Sequence, residues 1–233
     1  MRTEKTTGWL LIAGAIGVLI PYTLLTSMFE YPDILRQDTS VILTKFHEGG
    51  NQLIWTWFAF ALIGIPLIPA YILIGKKLEQ RSELVRVATT IGIVGLIVQM
   101  IGLLRWTFVV PVLADTFVHS GDAATKAAAV VSFKTIHQYG GVLLGEHLGQ
   151  LFTIIWTVLI CVAFTRLKLL PKWVSWLGII SAFIYLLAQL ELLQTVMPGL
   201  PVWDMAGFIG STLWLIWLLI VGILFIRMKP STT

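Results

Sequence analysis

Apolar residues run along this chain in six long blocks separated by short polar stretches: Gly8 to Phe29, Leu53 to Gly75, Val87 to Leu113, Tyr139 to Thr165, Trp173 to Leu193 and Met205 to Ile226. Each block reaches the roughly 20 residues that an α-helix needs to cross the hydrocarbon core of a bilayer. Backbone polar groups in hydrocarbon must be paired internally, which leaves helices or closed-barrel strands. Barrel strands need only about 10 residues. The pattern therefore predicts an all-α polytopic membrane protein, a bundle of six transmembrane helices forming a single domain over residues 1–233. Pro21, Pro66, Pro69 and Pro111 lie within or near the ends of these spans and predict kinks. Trp9, Trp55, Trp57, Trp106, Trp173, Trp176 and Trp203 fall near predicted ends, as interfacial aromatic belts would require.

Two of the polar stretches carry helical signals of their own. Asp38 to Glu48 places Val41, Ile42 and Phe46 at helical spacing, with Asp38 or Thr39 as N-cap and Gly49-Gly50 as the stop. Ser120-Gly121-Asp122 opens an alanine-rich run through Phe133 and Ile136 that leads into the fourth span. Both are expected to form short helices on the outer membrane surface.

Charge gives the orientation. Arg2, Lys5, Lys76, Lys77, Arg81, Arg86, Arg166, Lys168, Lys172, Arg227 and Lys229 fall on one side of the predicted spans, whereas Arg36, Lys45, Lys126 and Lys134 fall on the other. Eleven cations against four is a positive-inside asymmetry, so the expectation is a multi-pass protein of the cell (plasma) membrane with both termini cytoplasmic. Topology and anionic lipid headgroups account for the net charge of +4, and nucleic acid is an unnecessary partner. Composition agrees: 57% of residues are hydrophobic and only 12% charged, against roughly a quarter charged in soluble proteins. The first block follows Arg2 and Lys5 like a signal peptide, but its length and the lack of a small-x-small cleavage site predict a retained helix. The lone Cys161 excludes an intramolecular disulfide and a cysteine metal cluster.

The residues that lipid should exclude carry the candidate chemistry. A charged group at mid-bilayer costs about 2.5–3.5 kcal/mol on insertion scales, so an ionisable residue inside a span marks a site hypothesis. Arg105, Glu146, His147 and Glu191 meet that criterion, with Gln99, Gln150 and Gln189 beside them. At about 1.5 Å rise per residue, Arg105, Glu146 and Glu191 all fall in the outer half of their spans. One guanidinium facing two carboxylates and an imidazole approaches neutrality without bulk water, and the arginine fork suits carboxylates. Gly141, Gly145 and Gly149 recur at intervals of four, a small-residue stripe that lets a neighbouring helix approach. Arg105, Trp106, Glu146, His147, Gln150 and Glu191 are therefore expected to form an outward-facing polar pocket for a small amphiphilic or lipid-like ligand. The plain alternative is an Arg105–Glu146 or Arg105–Glu191 pair that fixes helix packing and does nothing else.

A metal-assisted membrane enzyme is the runner-up, with His47, His137 and His147 as zinc ligands and Glu48 or Glu146 as ligand or base. Glu146-His147 is adjacent, unlike the spacing of a zincin motif, and His137 and His147 lie about 80° apart on an α-helix. The four-histidine arrangement of two-haem membrane cytochromes is absent from the spans, which disfavours haem. No cofactor is predicted. No Gly-x-Ser-x-Gly, Walker loop or dinucleotide fingerprint occurs, so the sequence names no reaction and leaves open whether the protein is an enzyme. Oligomeric state is likewise unread.

The run Arg105-Trp106-Thr-Phe-Val-Val-Pro111-Val-Leu113-Ala114, the later His137-Gln138-Tyr139-Gly140, and Gly207-Phe208-Ile209-Gly210-Ser211-Thr212-Leu213-Trp214 with Gly222 and Arg227 resemble the bacterial six-helix membrane family known as domain of unknown function 4386. The resemblance covers about Trp9 to Arg227. It implies a bacterial membrane protein of six helices and brings no established activity.

Overall fold

A computed structural model describes residues 2–228, without the side chain of Arg2. Lys229, one of the eleven cations assigned to the cytoplasmic side, lies outside the described residues. Among the described residues the secondary structure is helical throughout, and six stretches are long and apolar enough to cross a membrane: Thr3–Phe29, Thr39–Arg81, Glu83–His119, Ala123–Arg166, Lys172–Gln194 and Ala206–Arg227. These contain the six predicted spans almost entirely. Met205 lies just outside.

Most stretches are built from more than one helix. α1 (Arg2–Gly17) and α2 (Leu19–Phe29) make the first. α3 (Thr39–Leu62) and α4 (Leu67–Leu78) make the second, α5 (Glu83–Phe108) and α6 (Val110–His119) the third. α7 (Ala123–Ile136), a π-helix (His137–Leu148) and α8 (Gly149–Arg166) make the fourth. α9 (Lys172–Leu187) with α10 (Gln189–Gln194) and α11 (Ala206–Arg227) make the last two. Breaks fall just ahead of Pro21, at Pro66 and just ahead of Pro111, each proline then sitting at or inside the next helix start, where its missing N–H costs least. The short helix expected from Asp38 to Glu48 exists and ends as expected in a kink at Gly50, so that α3 is two helical pieces joined there. Gly50 takes φ 53° and ψ −152°, a conformation open to glycine, and the chain resumes helically on its far side. The alanine-rich helix starts as expected: the Asp122 carboxylate accepts from the Ala124 and Thr125 N–H groups at 3.3 and 2.9 Å.

The chain divides into two compact units. One comprises residues 1–16, 64–97 and 147–233. In its core Trp156 stacks on Tyr71 at 3.7 Å, and Trp217 meets Trp156 edge-on at 5.7 Å while donating to the Val174 carbonyl at 3.0 Å. The Trp214 indole donates to Thr157, whose own hydroxyl is turned back onto the Thr153 carbonyl. Such internal satisfaction is what a polar side chain needs where water is absent.

The second unit comprises residues 17–63 and 98–146. Its core is aromatic. Trp57 and Trp106 stack at 4.7 Å with an interplanar angle of 12°, Phe29 meets both edge-on, and Phe46 and Phe133 close around Trp106. This corrects the belt assignment of two tryptophans: Trp57 and Trp106 are fully buried in protein, whereas Trp9, Trp55, Trp173, Trp176 and Trp203 are exposed. Two residues advance a helix by more than half a turn, so Trp55 and Trp57 cannot share a face.

Candidate functional site

Of the residues expected to form one constellation, Arg105, Trp106 and Glu146 belong to the second unit, and His147, Gln150 and Glu191 to the first. Each set has a definite local environment.

Arg105 is carried by α5 and is buried, a costly position for a permanent charge. Its Nη1 donates to the Gly102 carbonyl one turn back, and its Nη2 lies 3.4 Å from His137 Nδ1. Arginine is only a donor, so Nδ1 of His137 must accept, which puts that ring's proton on Nε2. The guanidinium carbon stands 5.1 Å from the Trp106 ring centre, within cation–π range. Glu146, in the same unit, interacts electrostatically with Arg105. The Nε of Arg105 is buried with no hydrogen-bond partner among the described residues.

The surrounding helix is unusual for a physical reason. Gly102 of α5 meets this helix backbone to backbone: a Cβ on Gly102 would stand 2.6 Å from the Gly140 carbonyl oxygen and 2.5 Å from the Gly145 Cα, whereas a Cβ on Gly140 would meet the Arg105 Cδ at 3.6 Å. Five residues is the spacing of the i→i+5 turn, so the π-helix brings the Gly140 carbonyl oxygen and the Gly145 backbone to the same contact. Gly141 faces Arg105, and a Cβ there would stand 2.5 Å from Nη2. Gly141 and Gly145 of the four-residue stripe thus mark a real close approach to α5, at Arg105 and Gly102. His137 and His147, expected on different faces, have different partners.

In the first unit the polar groups form a chain. His147 Nδ1 lies 2.7 Å from Gln189 Oε1, and Gln189 Nε2 donates to Gln150 Oε1 at 2.7 Å. Gln189 is buried and His147 and Gln150 are half-buried. The amide orientation fixes the imidazole: Oε1 accepts, so Nδ1 of His147 carries a proton. Gln189 was noted in the sequence only as a neighbour, yet it connects the other two. Glu191 is half-buried on the short α10, two residues farther on.

Each histidine of the expected trio has its own neighbours. His137 sits against Arg105 and stacks on Phe133 at 5.4 Å, His147 against Gln189, and His47 against His119 at 4.9 Å between ring centres. A cavity of about 260 Å³ lined by Thr165, Arg166, Lys172, Ser175 and Trp176, with Val162 and Ile179, contains none of these residues.

Residues 6–222 match the family model described as a domain of unknown function, DUF4386. The chain belongs to the DUF4386 family. No curated protein and no solved structure matches it. Within this DUF4386 protein the matched region includes all the polar residues above, from His47 to Glu191.

Proposed function

We propose that this DUF4386 protein binds an anionic amphiphile, with the Arg105 guanidinium and the Trp106 ring recognising the anionic group. One observation carries the reading: a buried arginine on a spanning helix whose Nε–H has no hydrogen-bond partner among the described residues. The same side chain is held by Gly102 and lies beside His137 and Trp106, so it is preorganised rather than free to swing toward lipid headgroups. A carboxylate or phosphate offers the planar or multiple acceptors that suit this donor, and an apolar tail suits the aromatic surroundings. This reading makes Glu146 the counter-charge of the arginine. The His147–Gln189–Gln150 chain and Glu191 form a second polar set in the other unit.

The membrane assignment accompanies this reading: a cell membrane, with both termini cytoplasmic, supported by the distribution of lysine and arginine. Cys161 is buried, so a Ser120→Cys variant offers a single accessible thiol. It should react with an impermeant maleimide added outside intact cells, and reaction only after lysis would reverse the topology.

Binding is tested with cis-parinaric acid as the anionic probe and its methyl ester as the neutral one, in detergent-purified protein. Wild type should bind the acid at least tenfold more tightly than the ester. Arg105→Gln should erase that preference and Arg105→Lys should retain part of it. A preference unchanged in folded Arg105→Gln, or absent in wild type, overturns the proposal. Arg105→Lys decides the same question by its intermediate preference if the glutamine variant fails to fold.

A further inference from the structure

We infer that His47, Asp115 and His119 form a binding site for a divalent transition-metal ion. His47 is on α3, and Asp115 and His119 are on α6, two helices that pack against each other in the second unit. One ligand atom from each residue can be chosen so that all three lie within 4.8 Å of one another. Zn–N and Zn–O bonds of about 2.0–2.2 Å require ligand atoms somewhat closer than that, a movement of about an ångström. Asp115 and His119 are mostly exposed, with side-chain accessibilities of 68% and 65%, so rotamer adjustment meets little resistance.

The pattern is specific in three respects. This chain has four histidines, and two of them, 72 residues apart in sequence, bring their rings to 4.9 Å. Asp115 and His119 are one helical turn apart, so both project from the same face of α6 toward His47, and the aspartate oxygen lies 3.0 Å from His119 Nδ1. Two imidazoles with one carboxylate are a donor set for zinc and its borderline neighbours rather than for calcium or magnesium, which prefer oxygen ligands. The exposure leaves coordination positions for water. A bound ion would tie α3 to α6 at a point where neither sequence neighbour nor backbone bond joins them.

The site shares no residue with the Arg105 set, so its test stands apart from amphiphile binding. Protein purified without a histidine tag and stripped with chelator should take up one equivalent of Zn²⁺ by isothermal titration at neutral pH. Co²⁺ should give a visible absorption band of a histidine- and carboxylate-bound ion. His119→Gln and His47→Gln should each weaken Zn²⁺ binding at least tenfold, and Asp115→Asn should weaken it less. Absence of micromolar uptake by wild type, or uptake unaltered in both histidine variants, overturns the inference. His119 is exposed, so His119→Gln should fold even if His47→Gln does not, and that variant alone decides the assignment.

Discussion

Gly102 and Gly145 meet backbone to backbone: a Cβ on Gly102 would approach the Gly145 Cα to 2.5 Å. Neither partner is a side chain that could swing away. Gly102→Ala should therefore destabilise the protein by about 1–3 kcal/mol, the usual cost of overpacking. Gly121, with nothing within 4 Å of its ideal Cβ, supplies the contrast: Gly121→Ala should unfold at the wild-type temperature. Thermal unfolding in detergent distinguishes them, and equal midpoints for the two variants would contradict the close approach.

Gln189 holds both of its neighbours through one amide, accepting at Oε1 and donating at Nε2. Gln189→Leu leaves two polar partners unmet and should cost about 1–3 kcal/mol. Once Gln150→Leu has removed one of those partners, the second substitution should cost less than it does alone. A double-mutant cycle reads the coupling, expected at about 0.5–3 kcal/mol for groups in one network. Strict additivity would show that the amide chain is not formed.

Trp55 and Trp57 differ by two positions and by their whole environment. Trp57 is fully buried and stacked on Trp106, whereas Trp55 is 68% exposed. Packing rather than water exclusion holds helices together in lipid, so the loss falls where contacts are lost. Trp57→Ala should cost about 3–5 kcal/mol. Trp55→Ala should stay within about 0.5 kcal/mol. Unfolding of the two variants in the same detergent checks the order.

Asp122 caps α7, and the Thr125 hydroxyl together with the Thr125 and Ala124 N–H groups holds its carboxyl below the usual aspartate range. Because the folded value lies below the unfolded one, the cap contributes fully above the unfolded pKa of about 3.9. It is lost as pH falls through the lower, folded value. Amide exchange at Ala124 and Thr125, corrected for intrinsic rates, should thus accelerate at acid pH in wild type. Asp122→Ala should show fast exchange at neutral pH and no such transition.

Much of this protein is written along the chain. Six apolar blocks, each too long for a barrel strand, dictate six helical spans because hydrocarbon offers no other partner for the backbone. Arg105, Glu146 and His147 stood out for the same reason, as groups that lipid penalises. The start of α7 was legible in Ser120-Gly121-Asp122, since capping is a local interaction. What only the tertiary structure decided is who meets whom. The π-helix from His137 to Leu148 changes the facing of every residue along it, and its i→i+5 bonds leave no signature in a pattern read at 3.6 residues per turn. On it His137 meets Arg105 and His147 meets Gln189, while the packing of α3 on α6 brings His47 to His119 and Asp115. Hydrophobicity selects which segments enter the membrane and is blind to rotation about their axes. Close packing, glycine by glycine and ring by ring, sets that rotation, and with it the chemistry.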